Sequence, residues 1–451
     1  MSSTVGPVAV LSLVRQRNFG PYFLGNALSA SGGWFQNLAA SLLVYRLTHS
    51  AFLLGVLNFC QFAPVLLLAP WAGSAADRFN RKRLLLAAQS TAAILAATLA
   101  VLAWAGLAAA WVVIVFALAL GVTSATSIPP QQALLASLVE PKELPTAVAL
   151  NSMTYNIARA AGPVAGAASV EYLGIPASFL LNSASYLVFV AALLVIRPRT
   201  QETAERGSSR LRDSLQVLRA DPRLLAFLIV VAAVGFASDP VNTLAPAFAH
   251  EFGRRDTVSG FIIGAFGAGA VTAAIVVAGR VAGSRRRMAL TLVLLGAGVI
   301  AFSLSPWLPL GFVLLFVGGF GYLASNTSAT TRLQLGVTEA QRGRIMALWG
   351  VAFLGLRPLA SLADGAIAAA AGVRTAGVVL AAPALAGALV LLLAGRRQRA
   401  GEHRLAQIAP PRPQGQREDR DGAIAGERSR DVIADHRAPR RRGDPADVDR
   451  A

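Results

Sequence analysis

Long apolar runs separated by short polar loops dominate the chain. A bilayer core needs about 20 apolar residues per helix, and twelve runs of that kind follow one another between residues 20 and 394. We number them span 1 to span 12. Their predicted bounds are 20–46, 51–72, 83–105, 110–130, 145–170, 174–196, 223–249, 257–279, 288–306, 309–331, 344–370 and 373–394. The pattern predicts an all-α membrane protein with twelve transmembrane helices.

Two polar segments divide the chain. Residues 197–222 are rich in Arg and Glu and separate spans 1–6 from spans 7–12, whereas residues 395–451 are rich in Arg, Asp, Pro and Gly. We therefore predict a six-helix half at 1–196, a cytoplasmic connector at 197–222, a second half at 223–394 and a disordered cytoplasmic tail at 395–451. The short apolar stretch before Arg15 lacks a basic start, so no cleavable signal peptide is expected.

Composition excludes several other classes of protein. Hydrophobic residues make up 55% of the chain and charged residues only 14%, against about a quarter charged in soluble domains, so a soluble enzyme is excluded. The single cysteine, Cys60, excludes an intrachain disulfide and a thiolate metal cluster. Neither Lys82 nor Lys142 follows a Gly-rich loop, so there is no P-loop for a nucleotide. No metal and no cofactor are expected.

The net charge of +18 is placed as membrane topology requires. Residues 1–395 hold 27 Lys and Arg, of which 21 fall in loops on one side of the predicted membrane and four on the other. The positive-inside rule then puts both termini in the cytoplasm of a multi-pass protein of the cytoplasmic, or inner, membrane. Because the basic residues are spread over short loops, the lipid bilayer is the expected partner and a nucleic acid is not.

The two halves of the chain look like repeats of each other. Residues 147–150 and 345–348 open spans 5 and 11 with similar sequences, 198 positions apart. The same offset superposes Arg159 on Arg357 and Gly174 on Gly372. Two parallel six-span repeats are an architecture of secondary transporters.

The loop after span 2 carries the most specific motif. It reads Gly73-Ser-Ala-Ala-Asp77-Arg78-Phe-Asn-Arg81-Lys82-Arg83. This loop resembles the Gly-x-x-x-Asp-Arg-x-x-Arg-Lys signature of the major facilitator superfamily. The resemblance implies a cytoplasmic latch, in which Gly73 permits close helix contact and Asp77 sits at the positive N-terminal end of span 11, near Arg344. Alternatively, the basic residues 81–83 only fix topology.

Span 5 carries a second, partial motif. Its residues Arg159, Gly162, Pro163 and Gly166 resemble the Gly-Pro-x-x-Gly-Gly motif of antiporter branches of the superfamily. The small residues 158, 162 and 166 are expected to pack against a matching strip on span 8, namely Gly260, Gly264 and Ala268. Tight packing without a coupling role is an equally good alternative.

The stretch from Leu144 to Asn182 resembles a particular branch of the superfamily. This branch contains the bacterial enterobactin exporter and related secretion-type permeases, and the resemblance covers roughly residues 15–395. It implies efflux of a siderophore or another small organic molecule.

In the superfamily fold, spans 1, 4, 7 and 10 line a central cavity. The residues expected to line it here are Asn26, Gln36, Asn37, Thr123, Asn242 and Asn326. For the Ser and Thr side chains of these spans, a hydrogen bond back to their own helix is the favoured alternative.

Four ionisable residues fall at membrane depth, where burial is costly and usually implies a partner or a function. They are Arg159, Asp239, Arg357 and Asp364. Asp239 is the sole carboxylate on a cavity span, and it precedes Pro240, which weakens the local helix. It is therefore the first candidate for proton coupling, with Asp364 as the second. Arg159 or Arg357 is expected to modulate it, although a purely structural pairing is the alternative.

The sequence thus predicts a secondary transporter, acting as a monomer, whose partners are a small-molecule substrate and protons. Proton-coupled efflux is the first hypothesis. An uptake permease or facilitator of the same fold, and a non-transporting membrane sensor, are the alternatives.

Overall fold

The computed structural model describes residues 7–199, 218, 221–277 and 285–408. The chain divides into two units, residues 1–395 and 396–451. Within the described ranges every regular element is helical. Each of the twelve predicted spans corresponds to a long helical segment, which confirms the all-α prediction.

The first half begins with a short helix, Pro7–Val14. Its six spans are the helices Phe19–Thr48, Ala51–Arg78, Arg81–Trp104, Ala110–Leu138, Leu144–Leu173 and Ile175–Val195. We call the end of the bundle that carries the turn at residues 49–50 the distal end, and the end at which span 1 begins the proximal end.

The second half has two interrupted spans. Span 7 consists of Pro222–Thr243 and Ala245–Glu251, and span 11 of Glu339–Gly350, a π-helical turn Val351–Gly355 and Arg357–Ala371. Span 8, Ser259–Val277, follows the 3-10 turn Asp256–Val258. Spans 9, 10 and 12 are Arg285–Leu304, Leu308–Leu335 and Val373–Ile408.

Spans 1 and 5 differ from the others in composition. Ten of the described spans are both long and apolar enough to cross a membrane. Spans 1 and 5 have 30 residues each but carry more small and polar side chains. Span 1 packs on spans 5 and 6, and span 5 packs in addition on span 8. Much of their surface therefore faces other helices instead of lipid.

The predicted disordered tail starts too early. The helix of span 12 continues to Ile408, so residues 395–408 are helical. Arg, Gln, Ala, Glu and Leu all favour helix in this segment, and extending an existing helix costs little compared with starting one. Residues 409–451 and most of the predicted connector lie outside the described residues.

The backbone confirms the internal repeat. Gly174 ends span 5 with a φ of +86°, and Gly372 ends span 11 with a φ of +91°. Such positive angles suit glycine because a Cβ atom would be strained there. Each glycine also leads directly into the next span, at the same place in both halves.

The halves meet where span 2 packs on span 11 and span 5 packs on span 8. A Cβ added at Gly55 of span 2 would lie 2.5 Å from the carbonyl oxygen of Ser361, so the two backbones are in contact. A Cβ added at Gly260 of span 8 would lie 2.6 Å from the carbonyl oxygen of Pro163. Small residues make both contacts possible.

The expected partner of the span 5 strip is wrong. Added Cβ atoms at Gly162 and Gly166 would meet Trp34 and Phe35 of span 1, not span 8. Span 8 instead contacts the adjacent face of span 5, which carries Pro163 and Ala167. Span 5 therefore uses two faces, one toward its own half and one toward the other half.

Glycine contacts give a matched test of the packing. A Cβ added at Gly319 of span 10 would lie 1.8 Å from the carbonyl oxygen of Phe266 in span 8, whereas at Gly73 it would meet nothing within 4 Å. The close helix contact expected at Gly73 is therefore not found.

Since overpacking costs about 1–3 kcal/mol, Gly319→Ala should lower the melting temperature of the detergent-purified protein, and Gly73→Ala should not. Equal melting temperatures for the two variants would contradict this packing.

Candidate functional site

Asp239 lies in the interior of the second half, near the end of the first helix of span 7. Its side chain is 1% exposed, and its Oδ1 lies 3.4 Å from Nε of Arg357 on span 11. Its Oδ2 accepts hydrogen bonds from Ser361 Oγ at 2.7 Å and from Thr243 Oγ1 at 2.9 Å. A buried carboxylate is tolerated when it is paired and hydrogen-bonded in this way.

The interruption of span 11 positions these partners. The π-helical turn Val351–Gly355 ends immediately before Leu356 and Arg357, and Pro358 opens the following helix. π-helical turns shift the side chains that follow them and are frequent at functional sites. From Arg357 the helical period then brings Ser361 and Asp364 onto the same face.

Asp364 is the most isolated polar group of the site. It is fully buried, and neither of its carboxyl oxygens has a hydrogen-bond partner among the described residues. Asp364 shares a helix face with Arg357 and Ser361, both of which contact Asp239, so the two carboxyl groups are neighbours. Two adjacent carboxyl groups do not readily ionise together. The arrangement is therefore able to keep one of them protonated.

Arg357 also contacts the first half of the chain. Its guanidinium group lies over the ring of Phe62 on span 2, at 4.2 Å from the centroid, and 5.6 Å from the ring centroid of Trp34 on span 1. Guanidinium groups are attracted to aromatic faces at such distances. Arg357 thus connects the carboxylate of one half to aromatic side chains of the other.

Arg159, the repeat equivalent of Arg357, has a different environment. Its guanidinium group lies 4.4 Å from the ring centroid of Tyr322 on span 10 and donates a hydrogen bond to the Tyr322 hydroxyl. The salt bridges of the described residues include none at Arg159, whose partner is a tyrosine. Of the two arginines expected to modulate Asp239, it is therefore Arg357 that lies beside this carboxylate. A modulating role of either arginine stays a prediction.

Two of the expected cavity residues are instead packed inside the first half. The side chain of Asn26 is buried, donates to Asn151 Oδ1 at 2.7 Å and accepts from Gln131. Gln36 is also buried and accepts from Asn182 of span 6. These amides hold spans 1, 4, 5 and 6 together, since a buried amide needs partners. Sequence reasoning missed the three partner residues.

The other expected cavity residues have mostly local partners. Asn37 Nδ2 donates to Gln61 Oε1 at 2.8 Å. Asn242 Nδ2 and Thr123 Oγ1 each donate a hydrogen bond of 2.8 Å to a carbonyl oxygen of their own helix. For Thr123, this is the alternative that was favoured above for Ser and Thr side chains. Asn326 Oδ1 is buried without a partner among the described residues.

The loop after span 2 joins two spans of the first half. Lys82 Nζ donates to the carbonyl oxygens of Leu194 at 3.1 Å and Ile196 at 2.8 Å. A cation at a helix C-terminus is favourable, so Lys82 fastens the loop to span 6, which the motif alone did not predict. Arg78 and Arg83 are exposed. The side chain of Asp77 lies outside the described residues.

The distal end joins the two halves through charges. Arg46 at the end of span 1 donates to both carboxylate oxygens of Asp256, at 2.5 and 3.1 Å. Glu171 at the end of span 5 accepts from Arg255 and, at 3.0 Å, from Thr257. Each contact links a span of the first half to the segment before span 8.

Residues 8–424 match the family model described as transmembrane secretion effector. The chain belongs to this family. It is thus a multi-pass membrane protein of the major facilitator superfamily, a superfamily of transporters.

Proteins similar to this chain include a named transporter and a named exporter. A staphyloferrin A transporter of Staphylococcus aureus (strain NCTC 8325 / PS 47) is 26% identical over 56% of this chain and 65% of its own length. The chain thus spans slightly under two thirds of that protein. The enterobactin exporter EntS of Shigella boydii serotype 4 (strain Sb227) is 26% identical over 73% of this chain and 80% of its own length.

Solved structures share the fold. A bacterial homologue of the human lysosomal transporter Spinster, in an inward-facing and occupied conformation, superposes with a TM-score of 0.68 at 14% identity, over 84% of this chain and 97% of its own. A D-xylose–proton symporter gives a TM-score of 0.65 at 12% identity, over 83% and 97%.

The buried ion pair predicts strong coupling between Asp239 and Arg357. Removing one member of such a pair costs about 3–5 kcal/mol because the other charge stays buried, and removing both costs less than the sum. We expect Asp239→Asn and Arg357→Gln each to destabilise the purified protein, and the double variant to be more stable than additivity requires. Unfolding in detergent measures this. The half-exposed pair Arg374–Glu251 is the control, expected to be nearly additive. Additive losses at Asp239 and Arg357 would contradict the pairing.

The distal contacts predict a charge-reversal rescue. Asp256→Arg would place a cation against Arg46 and should separate the halves at the distal end, whereas the double variant Arg46→Asp/Asp256→Arg restores opposite charges. Spin labels on Leu47→Cys and Arg254→Cys, in a Cys60→Ser background, measure the separation. We expect longer distances for the single reversal and the original distances for the double. An unchanged distribution in Asp256→Arg would exclude this contact as a determinant of closure.

Proposed function

We propose that the chain exports a small organic molecule, of the siderophore or drug-like kind, in exchange for protons. The names of two relatives, an enterobactin exporter and a staphyloferrin A transporter, support the class of molecule at 26% identity. The proposed exchange for protons depends on one observation, which is the buried group formed by Asp239, Asp364 and Arg357.

The proposal includes an orientation in the cytoplasmic membrane. The bias of 21 to four basic loop residues supports cytoplasmic termini and an outer distal end. The ion pairs of Arg46 and Glu171 then close the outer side, and the molecule would be loaded from the cytoplasm. One chain contains both halves of the bundle, so the proposed transporter acts as a monomer.

The carboxyl pair provides a place for the proton. No donor pairs with Asp364 among the described residues, and an unpartnered carboxylate is costly to bury, so we assign it the neutral acid form. Asp239, paired with Arg357, is the carboxylate that changes state. A proton taken up by Asp239 would cancel its attraction to Arg357 and leave the guanidinium group with Phe62 and Trp34 of the other half.

The same residues border the contact between the halves. Ser361, which donates to Asp239, also presents its carbonyl oxygen to Gly55 of span 2, and Gly365 follows Asp364 at that contact. A change of protonation would therefore act where span 11 meets span 2. On the outer side, Asp239 would take up a proton as the exported molecule leaves. It would release this proton to the cytoplasm when the protein reopens inward. Asp77 is proposed to close the proximal end as the latch motif implies.

Substrate-driven proton movement in proteoliposomes tests the proposal. Enterobactin and staphyloferrin A are supplied in turn as substrates, and a pH-sensitive dye follows protons. Wild type should move protons opposite to the substrate. Asp239→Asn should lose this movement while keeping substrate exchange without a gradient, because its amide cannot gain or lose a proton. Asp364→Asn should keep this movement, because it replaces one neutral neighbour of Asp239 with another.

Glu251→Gln provides the matched control, since this carboxylate lies at the distal end and pairs with Arg374. It should move protons as wild type does. Proton movement that persists in Asp239→Asn would reject Asp239 as the coupling group. Protons travelling in the same direction as the substrate would reject export by exchange in favour of uptake.

A further inference from the structure

We infer that Arg159 binds the anionic group of the transported molecule, that Tyr322 contacts an aromatic ring beside that group, and that this molecule is therefore an aromatic organic anion. The inference rests on the proposed function only in that the bound molecule is the one transported. It assigns Arg159 to recognition, whereas Arg357 at the equivalent position of the other half serves the proton.

The faces of span 5 direct Arg159 toward the centre of the bundle. Gly162 packs on span 1, whereas Ala160 meets Gly267 of span 8. The exposed residues Ala161 and Ala165 lie on the opposite side. At 100° per residue, Arg159 falls between the two packed faces. Its guanidinium group accordingly reaches Tyr322 on span 10, across the boundary between the halves.

The charge of Arg159 is not compensated by the described part of the chain. The salt bridges found there place a carboxylate at Arg357 but none at Arg159. Its polar partner among the described residues is a single neutral hydroxyl, although a guanidinium group has five N–H donors. Cations at membrane depth are costly without a partner and mark substrate or ion pathways. A bound anion would supply the missing charge and the missing acceptors.

Aromatic side chains continue from this position. Phe353 lies 6.3 Å from the Tyr322 ring and is stacked on Trp349, with centroids 5.1 Å apart and planes 22° apart. The indole Nε1 of Trp349 is buried and has no hydrogen-bond partner in the described residues, so a donor is available to a ligand. Rings of this kind prefer offset or edge-on contact with another ring.

The two features together define the chemistry of the ligand. The guanidinium group of Arg159 suits a carboxylate, sulfonate or similar oxyanion, and the row Tyr322, Phe353 and Trp349 suits an aromatic ring beside it. A neutral aromatic molecule would leave the charge uncompensated. An aliphatic anion would satisfy the charge but not the rings.

Binding to the full-length protein in lipid nanodiscs tests this site without any gradient. Calorimetric titrations use 1-naphthoate, its neutral analogue 1-naphthamide and the non-aromatic anion cyclohexanecarboxylate, each corrected with empty nanodiscs. Wild type should bind 1-naphthoate at least tenfold more tightly than either analogue. Arg159→Gln should weaken the binding of 1-naphthoate at least tenfold and leave the binding of 1-naphthamide unchanged. Arg159→Lys, which keeps the charge, should bind 1-naphthoate with an affinity between those of wild type and Arg159→Gln.

Two further variants keep the test specific. Tyr322→Leu should weaken the binding of both aromatic probes and leave the binding of cyclohexanecarboxylate unchanged. Arg254→Gln removes an exposed arginine at the distal end and should bind all three probes as wild type does. Unchanged 1-naphthoate affinity in Arg159→Gln would overturn the inference, and so would an equal loss for 1-naphthamide. Arg159-dependent binding without substrate-driven proton movement would support this site and reject the coupling proposal alone.

Discussion

The cost of placing charge inside a membrane constrains this structure more than any other factor. Arg357 and Asp239 meet that cost by pairing across spans 11 and 7, at 3.4 Å between Nε and Oδ1. The π-helical turn before Arg357 and the hydroxyls of Ser361 and Thr243 all serve this pair. Because the guanidinium group also lies over Phe62 of span 2, the pair is not confined to one half. Its charge state bears on how the halves are held together.

Much of the fold was predictable because span length and loop charge are properties of the chain alone. The twelve spans, the repeat and the glycines at positions 174 and 372 follow from apolar run length and from a constant offset. The interruptions of spans 7 and 11 were not predicted, since a π-helical turn is decided by tertiary packing and not by composition. The helix beyond residue 394 was missed because a polar segment was equated with disorder.

The residues of the site could be predicted from the sequence, but the side chains that they contact could not. Membrane depth singled out Arg159, Asp239, Arg357 and Asp364 without any structure. The helical spacing of 357, 361 and 364 could have placed Arg357, Ser361 and Asp364 on one face in advance. No spacing rule could pair Arg159 with Tyr322, since they lie on different halves, 163 positions apart in sequence. Likewise, Asn26 and Gln36 looked like cavity residues until their buried amide partners were known.

The repeats explain why two arginines at equivalent positions have different surroundings. Duplication places both at mid-span, but among the described residues only the arginine of the second half has a carboxylate on a neighbouring span within reach. The first arginine turns instead to a tyrosine of the opposite half. An internally compensated charge is released only when its partner is protonated, which is why we assign Arg357 to the proton. An arginine with no carboxylate partner among the described residues is suited to an anion from outside the chain, which is why we assign Arg159 to the transported molecule. Under these two proposals, the asymmetry of the halves would separate the ion that drives transport from the molecule that is carried, within one duplicated scaffold.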